Sequence, residues 1–116
     1  MRYVFVNTHY IYIWVDMPTP YERGRRFEYR VKRFLEGEGW VVIRSAGSKP
    51  IDLVAFKDGV ILFIECKKRG YVPKEQREYQ EGLARRAGAM YVVVTPKNFR
   101  EFKNHIKNRG VPLIAK

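Results

Sequence analysis

The chain of 116 residues contains one cysteine, Cys66. A single thiol excludes an internal disulfide and any thiolate metal cluster. Only two histidines are present, and His9 has no second histidine at metal-ligand spacing, so it reads as a turn residue. No apolar run is long enough to span a bilayer, and Asn7, His9 and Asp16 interrupt the apolar N-terminal stretch, which argues against a signal peptide. No membrane partner is expected, and the expected location is cytoplasmic, in association with the nucleoid. Acidic residues are also scarce: 12 Asp and Glu stand against 23 Lys and Arg, a net charge of +11, with a pI near 10.0. Such an excess serves solubility, but in a sequence with folded character it points first to a polyanion partner, nucleic acid. There is no internal repeat and no low-complexity segment.

What is present centres on residues 47–67. Asp58-Gly59 is a tight-turn dipeptide between two apolar runs, and it predicts a β-hairpin. Alternation sends Val60, Leu62, Ile64 and Cys66 to one face and Ile61, Phe63, Glu65 and Lys67 to the other. Glu65 and Lys67 are costly to bury without partners. Asp52, at the open end of the preceding strand, is the partner this arrangement offers. Two converging carboxylates make a hard oxygen site of the kind Mg²⁺ prefers, and an adjacent lysine can orient or activate a water.

Around this hairpin the remaining elements are expected in order. Arg2 to Val15 reads as two strands about a turn at Asn7-Thr8-His9. Met17-Pro18-Thr19-Pro20 closes that segment, so residues 1–16 are an N-terminal β extension and residues 17–116 the main domain. From Tyr21 to Glu36 the period is helical, with Gly24, Phe27, Val31, Phe34 and Leu35 on one stripe and a basic outer surface. Glu28 falls on the buried stripe. An edge ion pair with a nearby arginine would accommodate it, but its inward aim favours a site residue. Trp40 to Arg44 reads as the first core strand, followed by the polar and basic loop Ser45 to Pro50, which suits phosphate contacts from Arg44, Ser45, Ser48 and Lys49.

A second helix is expected from Pro73 to about Gly88, with Gln76, Tyr79, Gln80, Leu83 and Ala87 on one face. The two glutamines then point toward the site. Met90 to Thr95 is a strand. Thr95 as N-cap and Pro96 at the first helical position open a last helix with a core stripe of Phe99, Phe102 and Ile106, ending near Gly110. Val111 to Ala115 forms a short edge strand on this reading. The fold class is α/β, a mixed sheet flanked by helices.

Gly24-Arg25-Arg26-Phe27-Glu28, Arg44-Ser45-Ala46-Gly47-Ser48-Lys49, Ile51-Asp52-Leu53-Val54-Ala55 and Ile64-Glu65-Cys66-Lys67, in this order and spacing, resemble the archaeal Holliday junction resolvases of the PD-(D/E)XK nuclease superfamily. The resemblance implies a restriction-endonuclease-like core. It also implies that Asp52 and Glu65 bind the metal, that Lys67 assists the attacking water, that Glu28 completes the acidic site, and that the protein is a homodimer. The superfamily proline appears as Pro50, with Ile51 between it and Asp52. Pro73 to Val94, with Gln76-Arg77-Glu78, is equally similar to VRR-NUC nuclease modules, and residues 1–16 match neither family.

The expected function is Mg²⁺-dependent hydrolysis of phosphodiesters in DNA, with Mn²⁺ as a substitute and four-way junctions as substrate. Glu28, Asp52, Glu65 and Lys67 carry the chemistry. Arg25, Arg26, Arg30, Arg33, Arg44, Ser45, Ser48, Lys49, Lys68, Arg69 and Gln76 contact the DNA, mostly through phosphates. A flap, single-strand or restriction-type nuclease would keep the same four site residues. A non-catalytic DNA-binding subunit would need none of them together. For the homodimer, the expected surface is the third helix and what flanks it, with Phe99, Phe102, Val111, Leu113 and Ile114, or else the aromatic N-terminal arm.

Overall fold

In the computed structural model, which describes residues 2–6, 9–13, 20–45 and 50–112, the chain runs β1 (Arg2–Val6), β2 (His9–Ile13), α1 (Pro20–Gly37), β3 (Val41–Arg44), β4 (Leu53–Lys57), β5 (Val60–Cys66), α2 (Lys74–Arg86), β6 (Met90–Val94) and α3 (Phe99–Arg109). β1 and β2 pair antiparallel as a two-stranded sheet of their own, with Val6 opposite His9. The other four strands form one sheet in the order β3-β4-β5-β6. It is mixed: β3, β4 and β5 are antiparallel neighbours, and β6 joins β5 in parallel. The parallel pair requires a crossover, and α2 supplies it.

Asp58 and Gly59 have φ of 48° and 78°. Positive φ at both central residues is what a two-residue hairpin turn needs for its twist to match that of the strands. The turn therefore sets the register of β4 against β5, with Lys57 opposite Val60 and Leu53 opposite Ile64. Once register is set, alternation decides the faces. Leu53, Ala55, Leu62, Ile64, Val42 and Val94 point to one side and are buried there with Phe27, Val31 and Leu35 of α1 and Phe99, Phe102 and Ile106 of α3. Val54, Phe63, Tyr91 and Val93 point to the other side and meet Ala84 of α2 and Ile51. The sheet is thus covered by α1 and α3 on one face and by α2 on the other.

Rings lock the first of these layers. Phe99 stands edge-on to Phe27 and Phe34 at centroid distances of 5.6 and 6.2 Å, and Phe102 meets Phe34 at 6.2 Å. Phe99 and Phe102 are therefore core residues, as the stripe of the third helix predicts, and do not supply the subunit surface also expected of them. Leu113 and Ile114, invoked with them, lie outside the described residues, and Val111 is not in a strand.

α1 has no basic residue in its last turn. The hairpin makes up for this, since Lys57 Nζ donates to the carbonyl of Glu38 at 2.6 Å and brings a positive charge to the negative end of the helix dipole. The start of α3 also differs from expectation. The N-cap position is Asn98, not Thr95. Asn98 N donates to Thr95 Oγ1 at 3.2 Å while Thr95 N donates to Asn98 Oδ1 at 2.8 Å. Thr95, Pro96 and Lys97 are consumed in this turn before the helix begins. Gly110, with φ 77°, ends α3 in the left-handed conformation.

Candidate active site

β4 begins at Leu53, opposite Ile64, while β5 runs on past that pair to Cys66. Asp52 lies in the bend just before β4, and Glu65 is the last residue but one of β5. Successive N–H groups of a strand point to opposite edges. Lys67 N donates to Val94 O of β6 at 2.9 Å, so Cys66 N points toward β4, where the ladder has ended. Asp52 Oδ2 accepts that N–H at 2.8 Å. The carboxylate thus stands in for a missing strand carbonyl, and this fixes it beside Glu65.

Glu65 is held from the other side by α2. Gln76 Nε2 donates to Glu65 Oε2 and Gln80 Nε2 donates to Oε1, each at 3.0 Å. Gln80 Nε2 also donates to the carbonyl of Pro50 at 2.9 Å, and the Tyr91 hydroxyl donates to Gln80 Oε1. Asp52 and Glu65 are 6% and 8% exposed, and Gln80 is 1% exposed. Burial, followed by the negative charges of Glu65 and Glu81, pushes the Tyr91 hydroxyl well above its ordinary pKa, so it remains a donor.

A family model described as archaeal Holliday junction resolvase (Hjc) matches residues 19–109. The chain belongs to this family. It is 48% identical over 62 residues to the crossover junction endodeoxyribonuclease Hjc of Methanocaldococcus jannaschii, a match over 50% of this chain and 47% of that protein. It is also similar to the structure of Archaeoglobus fulgidus Hjc, a Holliday junction resolvase from an archaeal hyperthermophile. There the TM-score is 0.52 and the identity 31%, over 65% of this chain and 66% of the other. In both cases the matched region spans less than two thirds of the relative. The mixed four-stranded sheet flanked by three helices is the fold shared with the family.

The structure places the anticipated site residues as follows. Asp52 and Glu65 come together at the open end of the β4–β5 ladder. Lys67 follows Cys66 in strand register through its bond to Val94 O, and alternation puts its side chain on the Glu65 side. Glu28 is buried on the inward stripe of α1, as its position in the helix predicts, but it is also ion-paired: Arg44 Nε donates to Glu28 Oε2 at 2.9 Å. Arg44 in turn lies over the ring of Tyr29, with Cζ 5.1 Å from its centroid. The structure thus shows the ion pair that the sequence offers as the alternative to a site role for Glu28. Among the described residues, no three His, Cys, Asp or Glu side chains gather into one metal-holding cluster. The acidic centre consists of the Asp52–Glu65 pair, with Glu28 joined to Arg44.

Of the residues expected to contact DNA, Arg25, Arg26, Arg30, Arg33, Lys68 and Arg69 are exposed. Ser45 is half-buried, and its N–H donates to Asp52 O at 3.1 Å. Ser48 and Lys49 lie outside the described residues. Gln76 is directed at Glu65, where it orients a carboxylate. The buried row of α2 is Gln80 and Ala84, while Tyr79 is 58% exposed and Ala87 is also exposed. The helix is rotated from the expected face because the 76-80-84 row brings two amides onto one carboxylate. Tyr91 escaped the sequence reading altogether. In the sequence it is one apolar strand residue among five, and only the register of β6 shows where its hydroxyl goes.

Asp52 and Glu65 suit a divalent cation. Two carboxylates side by side, largely out of water, are a donor set that Mg²⁺ takes together with waters and substrate phosphates. The amides of Gln76 and Gln80 and the Cys66 N–H are neutral, so they orient the carboxylates without cancelling their charge. A carboxylate offers about four lone-pair positions, so these bonds leave acceptor capacity.

Proposed function

We propose that this chain is a metal-dependent endonuclease that hydrolyses phosphodiesters in four-way DNA junctions, with Mg²⁺ as its ion. The observation that carries the reading is the pairing of two buried carboxylates, Asp52 and Glu65, at the end of a sheet in a protein of net charge +11. These two residues would hold the ion. When bound, it supplies Lewis-acid polarisation of the scissile phosphate and acidifies water at that phosphate. Lys67, on the Glu65 side of the strand, places an ammonium where negative charge builds up at the phosphate. Glu28, its orientation set by Arg44, completes the acidic surface on the α1 side. Arg25, Arg26, Arg30, Arg33, Lys49, Lys68 and Arg69 hold the phosphate backbone with little base readout. The nuclease domain is residues 17–116, with residues 1–16 as an added hairpin.

A two-fold dimer completes the proposal, since paired incisions in opposed strands need two such sites. α2 packs over β5 and β6, which leaves the β3–β4 half of that sheet face bare among the described residues. Val41 is 65% exposed and Ile43 55%, and they stand opposite Phe56 and Val54 in the ladder. A hollow of about 530 Å³, lined by Ile51, Val54, Phe63, Leu83 and Ala87 among others, continues this apolar surface toward α2. Apolar area of this kind suits a self-complementary contact, and it takes the place of the α3 surface, whose rings are buried.

The test is a synthetic four-way junction labelled on each strand in turn, compared with flapped, linear and single-stranded DNA, with and without Mg²⁺. Paired cuts in opposed strands of the junction, and a dimer by light scattering, are expected. Equal cutting of all substrates by a monomer would overturn the resolvase reading and leave a general nuclease. Binding without any cleavage would leave a DNA-binding subunit.

A further inference from the structure

The two carboxylates reach the site by different routes. Glu65 comes on a central strand. Asp52 comes on the chain that enters β4 from the preceding loop, just after Pro50. Something has to hold these two pieces of backbone at a constant spacing, because a metal site tolerates little error in the placement of its ligands. Gln80 touches both. Its amide donates to the Pro50 carbonyl at 2.9 Å and to Glu65 Oε1 at 3.0 Å.

An amide can be turned over, and the reversed form would set its oxygen against a carbonyl and a carboxylate. The two acceptors themselves forbid that reversal, because neither the Pro50 carbonyl nor the Glu65 carboxylate can donate. With the amide so oriented, the Tyr91 hydroxyl donates to Gln80 Oε1 and holds its remaining polar atom. The amide is then satisfied at both hydrogens and at its oxygen.

We propose that Gln80, its amide oxygen held by Tyr91, is a positioning residue that sets the spacing of the two metal-binding carboxylates by tying Pro50 to Glu65. This rests on the reading of Asp52 and Glu65 as the ligands. Tyr91 acts only through Gln80. Loss of such outer partners lowers metal affinity by about 10- to 100-fold where it has been measured in metal sites generally.

The full-length protein without DNA is titrated with Mn²⁺, and the bound ion is followed by electron paramagnetic resonance. Thermal melting and metal-free junction binding are measured on the same samples. Gln80→Leu should weaken Mn²⁺ binding by about tenfold or more, with a lowered melting temperature, since the buried Tyr91 hydroxyl and Pro50 carbonyl lose their partner, and unchanged metal-free DNA binding. Tyr91→Phe should weaken it by a smaller factor, and the double variant should bind no more weakly than Gln80→Leu alone, because the two residues act in series. Should Gln80→Leu fail to fold, Tyr91→Phe, which keeps the ring, decides the matter by the same metal readout. Unchanged metal affinity in the folded variants would overturn the proposal. So would additive losses, or an equal loss of metal affinity in a variant of the same melting temperature altered away from the site, such as Asn98→Ala. A wild-type protein that binds no Mn²⁺ overturns it together with the ligand assignment. One that binds Mn²⁺, with the variant pattern above, but leaves junctions uncut overturns the proposed function and not this inference.

Discussion

Arg44 Nε and Glu28 Oε2 lie 2.9 Å apart, with both side chains more than four-fifths buried, so the last residue of β3 is pinned to the inward stripe of α1. This ion pair stands where the backbone N–H of Ser45 reaches Asp52 O, and it couples helix position to the strand end that carries a carboxylate. Removing one partner of such a pair leaves a charge without compensation. Glu28→Ala and Arg44→Ala should each lower stability by about 3 kcal/mol. The double variant should cost less than the two together by at least about 1 kcal/mol in urea unfolding. Glu28→Gln, which still accepts from Arg44, should cost about 1 kcal/mol yet lower cleavage much further, if charge at this position serves the reaction. Full activity in a stable Glu28→Gln would confine Glu28 to structure.

Asp52→Asn and Glu65→Gln keep shape and remove charge. Each should lower Mg²⁺-dependent cleavage by about a thousandfold, the equivalent of about 4 kcal/mol of barrier. Metal-free DNA binding should be equal or tighter, since a negative charge near phosphate is gone. Single-turnover cleavage at saturating DNA checks this, and wild-type rates in either variant would dissolve the site.

The hairpin turn is testable apart from the chemistry. Gly59 has φ of 78°, and a side chain there is strained whatever space it has. Gly59→Ala should cost about 1 kcal/mol, or a fall of about 4–8 °C in melting temperature for a domain of this size. Activity well below that of other variants of equal stability would show that β4–β5 register reaches Asp52 and Glu65.

Among the described residues β6 is an edge strand, and Asn98 blunts it. Its Nδ2 donates to Val93 O at 2.9 Å while its Oδ1 accepts from Thr95 N at 2.8 Å, so one amide occupies the place of a neighbouring strand residue. Asn98→Ala should lose about 1–2 kcal/mol. Asn98→Asp should lose at least as much, because a carboxylate can serve Thr95 but only repels the Val93 carbonyl. Greater stability in the aspartate variant than in the alanine variant would contradict this account.

A charge placed on the bare sheet face tests the proposed dimer. Ile43→Glu should give a folded monomer by light scattering, with little change in melting temperature once concentration dependence is removed, and junction cleavage should lose its paired incisions. An unchanged dimer would move the interface elsewhere.

Most of the fold was legible from sequence because its signals are local. Asp58-Gly59 between alternating apolar runs specifies a hairpin, and the 3.6-residue stripe of Phe27, Val31 and Leu35 specifies which side of α1 is buried. Proximity of Asp52 to Glu65 follows from those same local rules, since a two-residue turn fixes register and register fixes what stands opposite. What only the tertiary structure decided are the contacts between elements distant in sequence. The rotation of α2 about its axis, which keeps Gln80 inward as its face predicts but turns Tyr79 outward, depends on which amides find acceptors on β5 and in the chain before β4. The role of Tyr91 depends on the register of a parallel strand, which no turn sets. Phe99 and Phe102 have the same apolar character whether they form a core or a subunit surface, and the choice was made by the rings of α1 that meet them. Periodicity tells which face of an element is apolar; only packing tells what that face is buried against.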